Sequence, residues 1–124
     1  MILTPVLGAA IALAAPAAAQ KATTVVPIQL YSFGYLPTPI SLRAGAPVTL
    51  VFTDVAGISH EFKAPAFFHN ARIISGAVEE DGAVDLKPNQ SASVTLVPMR
   101  GTYAVHCGHF MHKQLGMRTL IYVQ

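Results

Sequence analysis

Donor atoms crowd into one stretch of this chain. Residues 102–123 hold its only cysteine, three of its five histidines and two of its four methionines. Cys107, His112 and Met117 follow one another with four residues in each gap. A thiolate, an imidazole and a thioether on one short loop suit copper. Sulfur ligands favour Cu(I), imidazole serves both oxidation states, and two histidines with a cysteine and a weak axial methionine make the electron-transfer copper geometry. The loop supplies one histidine of that set. A second has to come from elsewhere in the chain.

Two histidines lie outside the stretch, His60 and His69. His60 follows a strong strand pattern at 48–52 and a bend at Ala56-Gly57-Ile58. Adjacent segments of a sandwich can bring such a residue to the mouth of the Cys107 hairpin, so His60 is preferred over His69, which sits in a helical pattern. Within the stretch, His106 precedes the cysteine on its strand, and alternation turns its side chain to the opposite face. His109 competes with His112, and Met111 with Met117. Met117 follows Gly116 at the start of the returning strand, near the strand that carries Cys107, whereas His109 and Met111 sit nearer the loop tip.

The elements that must position these donors are short strands. Residues 25–31 read as a first strand, with Pro27 marking a sheet edge. Residues 34–39 read as a turn, 40–42 as a short strand, and 48–52 as a strong one. Residues 64–75 change pattern, with Pro65 where a helix accepts it, and predict two helical turns over one end of the sheet. Glu79-Glu80-Asp81-Gly82 is a solvated acidic turn, 83–86 a short strand, and 91–97 an alternating, half-buried strand. The expected fold is an all-β Greek-key sandwich with one short helical insertion.

The chain has 124 residues, room for one domain. Residues 1–19 read as a signal peptide: an apolar run from Val6 to Ala15, then small residues at 17–19 before Gln20. That run is 10 residues long, short of the about 20 that a membrane span needs. The expected domain is 20–124, periplasmic or otherwise exported. It carries every charged side chain, eight basic and six acidic. The charges are scattered without a basic stripe, which argues against nucleic acid as a partner. One cysteine cannot close an internal disulfide, and in an oxidising compartment a free thiol has to be buried or ligated.

Gly57-Ile58-Ser59-His60-Glu61-Phe62, then Gly101-Thr102-Tyr103 leading to Cys107, His112 and Gly116-Met117, resembles the cupredoxins, small single-copper electron carriers of the plastocyanin and azurin kind. The resemblance covers nearly all of the chain after the signal segment. It implies one copper ion held by His60, Cys107, His112 and Met117, and the family's His-to-Met spacing fits His112 rather than His109. The run from His106 to His112 also looks like the last copper-binding segment of the multicopper oxidases. There, histidines on both sides of the cysteine serve a trinuclear cluster, but Gly108 stands in place of the second of them. The paired His-X-His motifs of that family are missing as well, which excludes an oxidase.

The expected function is therefore electron transfer without catalysis or a small-molecule substrate, by a monomer that meets exported or membrane-bound redox partners briefly. His112 is the expected electron exit, with Phe110, Met111 and Leu115 as a small docking patch or a cover for the metal. The competing function is copper handling by a chaperone, buffer or resistance factor, for which His106, His109 and Met111 speak.

Overall fold

Alternation decides the layers. Along Val48–Asp54 every second residue is buried and those between are half-buried, as in a strand packed on one face. The computed structural model describes residues 1–11, 23–109, 112 and 115–124. Its strands in chain order are Thr24–Tyr31 (β1), Gly34–Leu36 (β2), Ile40–Leu42 (β3), Val48–Asp54 (β4), His60–Lys63 (β5), Arg72–Ser75 (β6), Ala83–Leu86 (β7), Ser91–Val97 (β8), Gly101–His106 (β9) and Arg118–Val123 (β10). One helix, Pro65–Asn70 (α1), lies between β5 and β6.

Two five-stranded sheets result, ordered β2-β1-β4-β8-β6 and β3-β10-β9-β5-β7. β1 pairs with β4, and β3 with β10, in parallel, while the other ladders are antiparallel. Parallel pairs need connections that cross from one sheet to the other, so the topology is a Greek-key sandwich rather than a meander. The expected fold class is the observed one. Ile28, Leu50, Phe52 and Leu96 of the first sheet meet Phe62, Val105, Ile121 and Val123 of the second in a single core.

Three local expectations are refined. β2 reaches only Gln29, Leu30 and Tyr31 of β1, so Pro27 lies where β4 is the one strand neighbour among the described residues. Its missing N–H costs the sheet little there. Residues 34–36, expected as turn, form β2 and bury Tyr35. The two helical turns predicted within 64–75 occupy Pro65–Asn70, and Ala71 is extended (φ −81°, ψ 152°). The chain then joins β8 as β6, with Arg72 opposite Val97 and Ile73 opposite Leu96. Two adjacent β-branched residues, Ile73 and Ile74, favour that strand over a further helical turn. The short helix still plugs the sandwich, because Phe67 lies edge-on to Tyr103 at 5.5 Å and Phe68 edge-on to Phe62 at 6.0 Å.

Residues 1–11 are exposed and without secondary structure. The expected cleavage point at Ala19-Gln20 falls outside the described residues. Among the described residues no helix is long and apolar enough to cross a membrane.

Candidate metal centre

The pattern that buries Tyr103 and Val105 on β9 continues for one residue and buries Cys107. β10 returns antiparallel, with Arg118 opposite His106. The loop between them is closed by its own backbone. The Cys107 N–H donates to the Met117 carbonyl at 3.1 Å, the Met117 N–H to that of His112 at 3.0 Å, and the His112 N–H to that of His109 at 3.1 Å. Gly116 takes φ +93°, a conformation that glycine adopts without penalty. Met117 is thereby delivered, fully buried, into the core beside the cysteine.

His60 arrives from the other side as the first residue of β5 rather than in a loop. Asp54, at the end of β4 and completely buried, ties off the bend before it. Its Oδ1 accepts the Ala56 N–H at 2.8 Å and its Oδ2 the His60 N–H at 3.1 Å. Sequence reasoning missed Asp54. The signal was available, since an aspartate opening a Gly-containing turn is a common cap for the amides that follow.

These elements bring three donors together. His60 Nδ1 lies 3.2 Å from His112 Nδ1, and Cys107 Sγ lies 3.3 Å from His112 Nδ1. The three form one possible metal-holding group. His60 and Cys107 are fully buried, and His112 is half-buried. Burial holds His60 below its usual 6.5, against the pull of Asp54, with His112 and His109 adding to the depression. Burial pushes the Cys107 thiol above 9.0; the Glu61 and His109 amides work against the rise, and the Glu61 and Asp85 charges add to it. Both groups are thus biased to their neutral forms. His112 Nδ1 faces both the His60 ring nitrogen and the cysteine sulfur, and a cation binding all three donors once the thiol is deprotonated would satisfy that arrangement. One sulfur and two imidazoles suit copper.

The remaining candidates fall elsewhere. His109 turns away to place Nε2 3.1 Å from Asp85 Oδ1, its ring stacked on that of His112 at 5.6 Å and 11°. His106 is half-buried at the end of β9, and His69 is exposed on α1. Met111 and Phe110 lie outside the described residues. Leu115 is exposed.

Two more residues shape the site without having been singled out in the sequence. The Glu61 N–H approaches Cys107 Sγ at 3.4 Å, and its Oε1 accepts the Gly108 N–H at 2.7 Å. A Cβ at Gly108 would overlap that oxygen where it stands, so glycine after the cysteine lets the carboxylate sit in this position. Phe33 takes φ +78° in the turn between β1 and β2. Its ring stands edge-on to His112 at 5.2 Å and to His60 at 6.3 Å. Its only sequence signal is its place next to Gly34 in a turn.

Neither a family model nor a curated protein sequence matches the chain. Solved structures do. The chain is similar to dithionite-reduced auracyanin from the photosynthetic bacterium Roseiflexus castenholzii (20% identity, TM-score 0.63), covering 83% of this chain and 98% of that one. It is similar to a multicopper oxidase described as a metallo-oxidase from Campylobacter jejuni (12%, TM-score 0.63), covering 84% of this chain and 30% of that one. It also matches the multicopper oxidase of the hyperthermophile Aquifex aeolicus (14%, TM-score 0.65), with 84% and 30% covered. The chain thus spans under a third of each oxidase and nearly the whole of the auracyanin. The architecture is the cupredoxin fold, as the sequence resemblance implied, and its potential metal group is a His-Cys-His set.

Proposed function

We propose that the protein is a mononuclear copper protein that carries single electrons, with His60, Cys107, His112 and Met117 as ligands. The observation that carries this reading is the convergence of His60 Nδ1, His112 Nδ1 and Cys107 Sγ. Met117 is buried beside them and tied by its backbone to both Cys107 and His112. Copper held there would supply a one-electron couple, with the thiolate providing covalent overlap and the thioether tuning the potential.

The protein's own residues do the rest. Asp54 and the loop amides hold the donors in place, so little rearrangement accompanies a change of charge. Burial of Cys107 and His60 keeps water and oxidants from the sulfur. His112 is the one half-exposed member and offers the electron path, with exposed Leu115 beside it in the chain. The closed position of Cys107 and Met117 supports electron transfer over copper delivery, because a carrier that exchanges its ion needs sulfur donors its partner can reach. The absence of paired His-X-His motifs from the sequence supports a protein without oxidase activity. Residues 1–19 are read as an export signal, and the partners as exported or membrane-bound redox proteins met transiently by a monomer.

The test is the visible absorption spectrum during titration with Cu(II), followed by reduction. The reading expects an intense thiolate charge-transfer band that saturates at one equivalent and bleaches reversibly. A colourless protein that binds Cu(I) tightly would favour copper handling instead.

A further inference from the structure

We propose that Glu61, Asp85 and His109 form a second metal site, for a divalent cation of the Zn(II) or Cu(II) kind, beside the first. The β5–β7 ladder sets Glu61 directly opposite Asp85. Like charges at opposed ladder positions are destabilising, and a cation between them would relieve the repulsion. Neither carboxylate pairs with a lysine or arginine among the described residues, and Lys63, next along β5 but one, is engaged with Asp81 at 3.2 Å. Glu61 is only 8% exposed, and a carboxylate so far from water needs a counter-charge.

What faces the pair is an imidazole. His109 Nε2 stands 3.1 Å from Asp85 Oδ1, and one donor atom from each of the three residues lies within 4.8 Å of the others. The ring is fixed on its other face by stacking on His112. Glu61 is held through Oε1 by the Gly108 amide, and Asp85 by its place in β7. Imidazole nitrogen and carboxylate oxygen both ligate zinc, and a site with three protein ligands keeps its fourth position for a water. The exposure of Asp85 and His109 leaves that position open to solvent. With no sulfur, the group does not suit Cu(I).

The test titrates the protein, already loaded with one equivalent of Cu(II), with Zn(II) by calorimetry while the visible band is followed. Formation of the band in the loading step reports the first site, so a failure there is separate from a failure here. The expected result is one further equivalent of Zn(II) bound with the band retained. Asp85→Asn and His109→Ala should each weaken that binding roughly tenfold or more, and His69→Ala, at an exposed histidine on α1, should leave it unchanged. The proposal is overturned if no second event occurs, as when the imidazolium alone balances the carboxylates. It is equally overturned if Zn(II) bleaches the band by entering the Cys107 group, or if Asp85→Asn binds as well as the parent.

Discussion

Two donor groups share the same short stretch of backbone and differ in almost every property. His60 and Glu61 are neighbours on β5, and Cys107 and His109 lie two apart, yet His60 and Cys107 face one cluster and Glu61 and His109 the other. The inner group is sulfur and nitrogen, with two members fully buried. The outer group is mostly oxygen, with Asp85 and His109 open to solvent. Successive side chains of a strand leave on opposite faces, so one segment can serve a dry, soft site and a wet, hard one at once. Their chemistry differs because burial differs: a thiol and neutral imidazoles tolerate the interior, whereas paired carboxylates do not.

The sharpest way to break that comparison is Cys107→Ser, a near-isosteric change in the inner group alone. It should abolish the visible band of the copper-loaded protein and leave Zn(II) binding at the outer group intact, as read by absorption and calorimetry on the same sample. Loss of both would mean that the two groups are one site.

Asp54→Ala tests whether the inner group is held from β4. It strands the Ala56 and His60 amides in a buried position, at an expected cost of about 3 kcal/mol. Urea unfolding of the metal-free protein measures this, and a loss below about 1 kcal/mol would show that solvent replaces the carboxylate.

The pH dependence of the metal-free protein separates the groups further. His60 titrates lower in the fold than in the unfolded chain, so the unfolded chain binds the proton first and stability falls as pH drops below about 6.5. The Cys107 thiol titrates higher in the fold. The unfolded chain therefore loses its proton first, and stability falls as pH rises above 9.0. Denaturant midpoints should be highest between these limits, and Cys107→Ser should remove the fall that starts near 9.0 while leaving the one above 10.0 that buried Tyr35 contributes, since burial raises its hydroxyl as well.

Phe33→Gly should have the smallest effect. Glycine relieves the positive φ while the ring's contacts with both imidazoles and its part-buried packing on the core are lost, leaving a net loss of about 1–2 kcal/mol. The His112 ring should nevertheless gain mobility, visible as broadened imidazole resonances in the reduced protein. Unchanged linewidths would show that the ring of Phe33 does not restrain His112.

Much of this was legible in the sequence, for reasons that can be named. Val48–Asp54 and Ser91–Val97 announce themselves because one face is buried, which enforces a period of two. The Cys107 hairpin was readable because its donors are close in sequence and glycine marks its return. His60 could be favoured over His69 from the strand and bend before it, although closeness to Cys107 depends on sheet order, which spacing does not encode. β6 was hidden inside a helical pattern because its partner, β8, lies some twenty residues further along the chain. Glu61 was overlooked for the same reason, since its partners Cys107 and Gly108 lie 46 and 47 residues further on. Asp54 was not hidden in that way: the amides it holds belong to Ala56 and His60, and an aspartate opening a Gly-containing turn is a readable cap.

The central claim is that His60, Cys107 and His112 hold one copper ion. Copper X-ray absorption on protein loaded with a single equivalent tests it most directly. The account predicts a nearest shell of one sulfur and two imidazole nitrogens, with the sulfur contribution gone in Cys107→Ser. A shell of nitrogen and oxygen alone in the parent protein would contradict it.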